Sequence, residues 1–306
     1  MTTLGCILAP YGNPPSRFVP FARTAEAAGL DEAWLWEDCF LESGPSAAAA
    51  MLGATERLRV GIGVMPLPLR NVALTARETA TLDGMFPGRF LPGVGHGVQD
   101  WMGQVGARVA SPLTLMREQV TALRALLAGE RVTTSGRYVT LEDVALDWPP
   151  AAAPPVVAAA KGPKTMRLVG EIADGVVIDG DVGVSGARAA IALLDEGRAA
   201  AGLPPVAESG PGSAHPFRAV AFAQVATGTG AADRLRASLA TWDVDASSDE
   251  VLADHASWGS AEEVADGLRR FAALGVTTVV AQPTRDEPDL DGFAAFLGQE
   301  VAPLLR

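Results

Sequence analysis

Short apolar, β-branched runs alternate with helix-patterned stretches along this chain, and that alternation leaves few folds open to it. The clearest unit spans residues 57–106, RLRVGIGVMPLPLRNVALTARETATLDGMFPGRFLPGVGHGVQDWMGQVG. Residues 58–64 are apolar and β-branched, 72–85 carry helical spacing, and 89–94 form a second apolar run. Strand, crossover helix and strand make a βαβ unit with parallel strands. Further strands are expected at 4–8, 32–36, 155–159, 175–179, 218–225 and 276–281. Helices are expected at 16–28, 45–54, 111–127, 185–200, 261–274 and 289–305. Ser111 occupies an N-cap position, and Gly129 follows the end of the same helix. Residues 132–134 and 137–140 flank Ser135-Gly136 as a small surface hairpin. Eight short buried strands alternating with helices in 306 residues favour a closed (β/α)8 TIM barrel over an open sheet. The segments 203–217 and 242–258, rich in Pro, Gly, Ser and Asp, read as loop insertions within one domain covering 1–306.

Charge and composition remove several function classes. The net charge of −12 repels phosphate backbones, so nucleic acid is not an expected partner. Two cysteines make no disulfide framework and fit a reducing cytoplasm. No apolar run approaches the roughly 20 residues needed to cross a bilayer, and no basic-then-apolar leader is visible. The three histidines show no metal-ligand spacing, so no metal is expected. A Gly-x-Ser-x-Gly elbow and a Walker loop are both missing.

In a barrel the site is built at the C-terminal ends of the strands. Gly93, Gly95 and Gly97 crowd such an end, with His96 between two of them and Trp101 close behind. This run lacks the third spaced glycine and the acid of a dinucleotide fingerprint. It reads instead as a loop where backbone passes close to a flat ring. His96 is a candidate to bind cofactor or donate a proton. Trp101 and Trp36 are candidate apolar walls for substrate or ring. Glu37 and Asp38 end the strand at 32–36 and are candidate acids. Cys39 reads as a small residue against the substrate rather than a nucleophile. Lys161-Gly162-Pro163-Lys164-Thr165 follows a strand and opens a helix. Free amides at a helix start bind anions, glycine lets an oxygen approach, and proline suits the first turn. By itself the pattern is an ordinary cap with two solvated lysines; in a barrel it becomes a phosphate seat. Arg70 and Asn71 fit either a substrate carboxylate or a helix start.

Three segments carry a family likeness: DGMFPGRFLPGVG at 83–95, LDEAWLWEDCF at 30–40, and PPVVAAAKGPKTMRLVGEIADGVV at 154–177. In order and spacing they resemble the bacterial-luciferase-like superfamily of flavin and deazaflavin oxidoreductases, within it the methylene-tetrahydromethanopterin reductase-like group. The resemblance implies a (β/α)8 barrel binding coenzyme F420 at its C-terminal mouth. Hydride would pass between the deazaflavin C5 and a small organic substrate. It implies that Lys161, Gly162 and Pro163 hold the cofactor phosphate, which favours F420 over FMN. It further implies a bulge with a non-proline cis peptide at Gly63-Val64 backing the ring, with Met65 continuing along it and His96 and Gly97 at its edge. Asp38 matches the Asp of an Asp-His-Phe pattern, which implies that it binds the cofactor near the ring, but Cys39 stands where the His would be. Val98 stands where the sugar-phosphate dehydrogenases of the family carry a glutamate. The proton donor is thereby left among Glu37, Asp38 and His96. The rival expectations are an FMN-dependent monooxygenase and a non-catalytic cofactor-binding barrel. A homodimer is compatible with either.

Overall fold

Residues 2–305 are described by the computed structural model. The strands are β1 (Thr3–Leu8), β2 (Glu32–Leu35), β3 (Arg59–Pro66), β4 (Phe90–Gly95), β5 (Val132–Ser135), β6 (Thr140–Val144), β7 (Val157–Ala159), β8 (Gly175–Ile178), β9 (Arg218–Ala226), β10 (Ala256–Trp258) and β11 (Thr278–Gln282). β5 and β6 form the antiparallel surface hairpin. Eight of the others pair in parallel in the order β9-β11-β1-β2-β3-β4-β7-β8, and β8 pairs back onto β9, closing a barrel. The expected (β/α)8 architecture is therefore the one observed.

Around the barrel run α1 (Phe18–Ala27), α2 (Gly44–Gly53), α3 (Val72–Met85), α4 (Gln99–Gln104), α5 (Pro112–Leu127), α6 (Pro163–Ile172), α7 (Gly183–Ala200), α8 (Ala231–Ala240), α9 (Asp249–His255), α10 (Ala261–Ala272) and α11 (Leu290–Phe296). α3 and α5 start where their caps stand. Asn71 accepts from the Ala73 amide, and Ser111 from the Thr114 amide. The segment 242–258, expected to be loop, contains α9 and the extra strand β10. β10 pairs with the C-terminal end of β9, at Gln224 to Ala226. Trp258 thus lies in a strand that depends on a partner more than 30 residues away, a pairing that local pattern does not announce. Among the described residues, no helix is long and apolar enough to cross a membrane.

Two apolar layers result from the period-2 alternation of the strands. Ile7, Trp34, Leu91, Val157, Val177, Val220, Phe222 and Val280 fill the barrel interior. The alternate residues pack against the helices. The interior is crowded because Trp34 and Phe222 face glycines. A Cβ on Gly61 would sit 2.4 Å from the Trp34 ring, and one on Gly63 would sit 2.7 Å from Phe222. At the N-terminal end of the barrel, the carboxylate of Glu32 is fully buried. It accepts from Trp34 Nε1 at 2.9 Å and is ion-paired with Arg59 at 2.9 Å and with Arg218.

Candidate functional site

At the C-terminal mouth, β3 breaks its own alternation. Its register against β4 shifts between Ile62 and Met65, and the Gly63–Val64 peptide is cis. The bulge consumes one residue, so inward and outward positions exchange beyond it. Val64 joins the interior set, whereas Met65 is buried among the residues facing the helices. Met65 therefore does not continue along the mouth as expected. Opposite the bulge, β4 is glycine because nothing larger fits. A Cβ on Gly93 would lie 2.1 Å from the Ile62 carbonyl oxygen, and one on Gly95 would lie 2.6 Å from Val64 Cγ2. Gly97 follows at φ +64°, against Pro66 and Met102. Val64, Gly95 and Gly97 together leave a flat strip of wall.

The end of β2 separates its two acids. Trp36 continues the inward positions, 6.2 Å from Phe222 and 6.4 Å from Tyr11 between ring centroids. Glu37 points outward against Gly44 of α2 and is ion-paired with Arg70 at 2.6 Å. Arg70 also pairs with Glu78, so it orders the start of α3. Glu37 is thereby separated from the mouth, and Arg70 and Asn71 are accounted for by helix-start bonds. Asp38 turns back to the mouth and accepts a 2.6 Å hydrogen bond from the Tyr11 hydroxyl. Burial raises the Asp38 carboxyl above its usual range, opposed by Tyr11 and the Arg285 charge. Arg285 stacks on the Tyr11 ring, 4.1 Å from its centroid. Cys39 is partly exposed and joined to Phe40 by a cis peptide. Burial, with Asp38 and Glu37 nearby, pushes its thiol up, away from thiolate chemistry.

Glu42, in the loop between β2 and α2, was not singled out in the sequence. Burial, reinforced by the Asp38 and Glu37 charges, raises its carboxyl to about 7. An acid whose folded-state pKa is raised destabilises the fold once it ionises. This contribution is absent below about 4.5, grows between about 4.5 and 7 as the unfolded chain ionises first, and is fully present above about 7. Glu42→Gln should therefore melt with the parent near pH 4.5 and above it at pH 8. Thermal melts across that range check this; a constant gap would remove Glu42 from the titration.

The phosphate-seat motif opens α6. Gly162 is the N-cap and has no side-chain cap, Pro163 follows, and the first turn carries no acid. A Cβ on Gly162 would meet nothing within 4 Å. His96 reaches this helix start from β4, with Nε2 3.4 Å from Thr165 Oγ1. Its Nδ1 is buried without a partner among the described residues, and burial lowers its pKa, which favours the neutral ring. Lys161 differs from expectation. It is ion-paired with Asp179 at 3.0 Å and Asp181 at 2.8 Å, which spends its charge within the chain. Burial raises the Asp179 carboxyl, opposed by Lys161. Asp179 ends β8 as Asp38 ends β2, so the strand-end rule that selected Asp38 also points to it. Trp101 lies on α4, half-buried beyond β4.

The luciferase-like monooxygenase family model matches residues 1–278. The chain belongs to that family. It is 30% identical over 177 residues to a 5,10-methylenetetrahydromethanopterin reductase of Methanolobus tindarius, covering 58% of this chain and 54% of that one. It is 31% identical over 175 residues to an F420-dependent glucose-6-phosphate dehydrogenase of Microbacterium testaceum, covering 53% and 52%. The chain thus spans about half the length of these curated relatives. The fold matches the coenzyme F420-dependent tetrahydromethanopterin reductase of Methanopyrus kandleri with a TM-score of 0.84 at 20% identity, over 100% of this chain and 99% of that one. It also matches the oxygenating constituent of a Pseudomonas putida 3,6-diketocamphane monooxygenase in complex with FMN, with a TM-score of 0.78 at 17% identity, over 100% and 99%. Luciferase-like barrels of this shape thus include proteins described with either cofactor.

Proposed function

We propose that this luciferase-like barrel is an F420-dependent oxidoreductase acting on a small organic substrate. The observation that carries the reading is the start of α6: an uncapped Gly-Pro turn, free of acids, facing open space beside the flat Val64–Gly95 wall. A helix start of this kind offers amides and a positive dipole to a phosphate. The wall leaves room for a planar ring close to backbone. The names of the F420-dependent relatives support the same reading.

When bound, the deazaflavin would supply the hydride chemistry. The chain's own residues would bind, orient and handle protons. The Lys164 and Thr165 amides, with neutral His96 beside them, would hold the phosphate. Val64, Gly95 and Gly97 would back the ring. Asp38, bridged to Tyr11, and Glu42 next to it are the groups placed to hold or release a proton at the mouth. Both are raised toward the protonated form, as a general acid requires. Glu37 takes no part in this reading, because its charge is paired with Arg70.

Titration of the purified protein with F420 and with FMN tests the assignment, read by quenching of Trp34 and Trp36 fluorescence. Saturable quenching by F420, at least tenfold tighter than by FMN, is expected. Tighter binding of FMN would overturn it in favour of an FMN-dependent monooxygenase. His96→Ala should weaken F420 by about tenfold, the loss of one hydrogen bond to a charged group.

A further inference from the structure

Inward-facing positions of β9 and β11 carry Val220, Phe222 and Val280. One step nearer the mouth, the same alternation places Gln224 and Gln282, which are register partners on adjacent strands. Gln224 is completely buried, Gln282 is 4% exposed, and Thr284 just beyond is 3% exposed. Both amide atoms of Gln224, Oε1 of Gln282 and Oγ1 of Thr284 are buried without any partner among the described residues. Gly180, at the end of β8, would carry a Cβ only 2.8 Å from Gln282 Oε1. The Gln282 side chain therefore crosses over β9 toward β8, and glycine leaves it room. Buried amides are normally paired, because an unpaired donor or acceptor loses its water bonds and gains nothing. Four such atoms on one wall of one barrel end call for a ligand that completes them.

The wall's position identifies which ligand. In the closed strand order, β9 lies four places from β3 in both directions. The Gln wall is thus diametrically opposite the Val64 bulge. On the proposed function, a planar cofactor lies against β3 and β4, and its open face looks across to β9 and β11. A hydride acceptor must lie on that open face. The atoms waiting there are a donor and acceptors of neutral groups. Two cations near the mouth, Lys161 and Arg285, are engaged elsewhere, Lys161 with Asp179 and Asp181, and Arg285 over Tyr11 beside Asp38. Asp179 and Asp181 flank Gly180 beside Gln282 and together outnumber the single charge of Lys161, so this wall disfavours phosphate and carboxylate.

We propose that Gln224 and Gln282 form the specificity-determining wall for an uncharged substrate that presents a carbonyl next to an N–H or O–H, as a lactam or amide does. The inference rests on the F420 reading for its orientation, but its ligand test does not need the cofactor. The probe is 2-piperidone, with acetate as the charged comparison. Binding is followed by saturation-transfer NMR on the full chain, with and without F420. The parent should bind 2-piperidone, and Gln224→Leu should weaken it at least tenfold. Acetate should show no dependence on Gln224. The affinity of Gln224→Leu for F420 should stay within twofold of the parent, and its melting midpoint should equal or exceed the parent's, since the amide it loses has no partner. Gln282→Met, which keeps the side-chain length, should repeat the loss if Gln224→Leu folds poorly. The proposal is overturned by a parent that binds no 2-piperidone in either state. It is equally overturned by acetate binding that depends on Gln224, or by a tenfold loss of F420 affinity in either variant, which would assign the amides to the cofactor. A large fall in melting midpoint in both variants would show the amides already satisfied, and would also overturn it. Failure of the parent to bind F420, with 2-piperidone binding still dependent on Gln224, would count against the cofactor reading alone.

Discussion

Gly162→Asp is expected to weaken F420 binding at least about a hundredfold, or ~2.8 kcal/mol, without loss of the fold. The two effects of the substitution run in opposite directions. On stability, aspartate is a good N-cap, and Gly162 has ordinary extended dihedrals, φ −77° and ψ 152°. Its Cβ would enter open space. The melting midpoint should stay put or rise slightly, because Gly-to-Asp at an N-cap is worth only a few tenths of a kcal/mol. On binding, the new carboxylate would occupy the amides meant for phosphate and place like charge against it. Two charges ~4 Å apart near a protein surface repel by about 4 kcal/mol before salt screening. Isothermal titration beside a thermal melt reads both effects. A Gly162→Asp variant that binds F420 like the parent would move the phosphate away from α6.

Glu32→Gln should cost about 3–5 kcal/mol of folding stability, the largest effect expected from one isosteric change here. The carboxylate is fully buried and is shared by Arg59 and Arg218. Arg218 is itself only 16% exposed, and its Nε has no partner among the described residues. An amide at position 32 still accepts from Trp34 but leaves two guanidinium groups facing each other without the charge between them. Replacing Glu32 and Arg218 together with leucine should recover much of the loss, because removing a buried pair costs far less than breaking it. Urea unfolding of the single and double variants measures the difference. Equal losses in the two would show that packing, not charge, is what Glu32 supplies.

Much of the barrel could be read from residue patterns because its determinants are local. Buried parallel strands are short apolar runs, and α3 and α5 begin at side chains that cap their own helices. The Gly63–Val64 cis bond was expected from family likeness, not from spacing. What stayed hidden depends on partners distant in sequence. The Glu37–Arg70 pair joins residues 33 apart, so two candidates that looked functional proved to orient one another. Met65 was misplaced because a bulge changes the parity of every later position, and one strand's sequence does not state its register. β10 is strand only because β9 extends beyond β8. Gln224 and Gln282 were not singled out in the sequence; their meaning lies in the missing partners, which only the packed interior shows. Tyr11 gave no signal at all, since its importance comes from the carboxylate of Asp38 on the neighbouring strand.

The aromatic plug deep in the barrel has a kinetic consequence. Trp34 and Phe222, seated against Gly61 and Gly63, close the interior below the mouth. Two ligands that share such a cup pass through the same opening. On the proposed function, the one lodged against the β3 wall would have to arrive before its companion covers it, and leave after it. Turnover in a vessel of this shape would then follow an ordered sequence of arrivals and departures, with the last molecule in being the first one out.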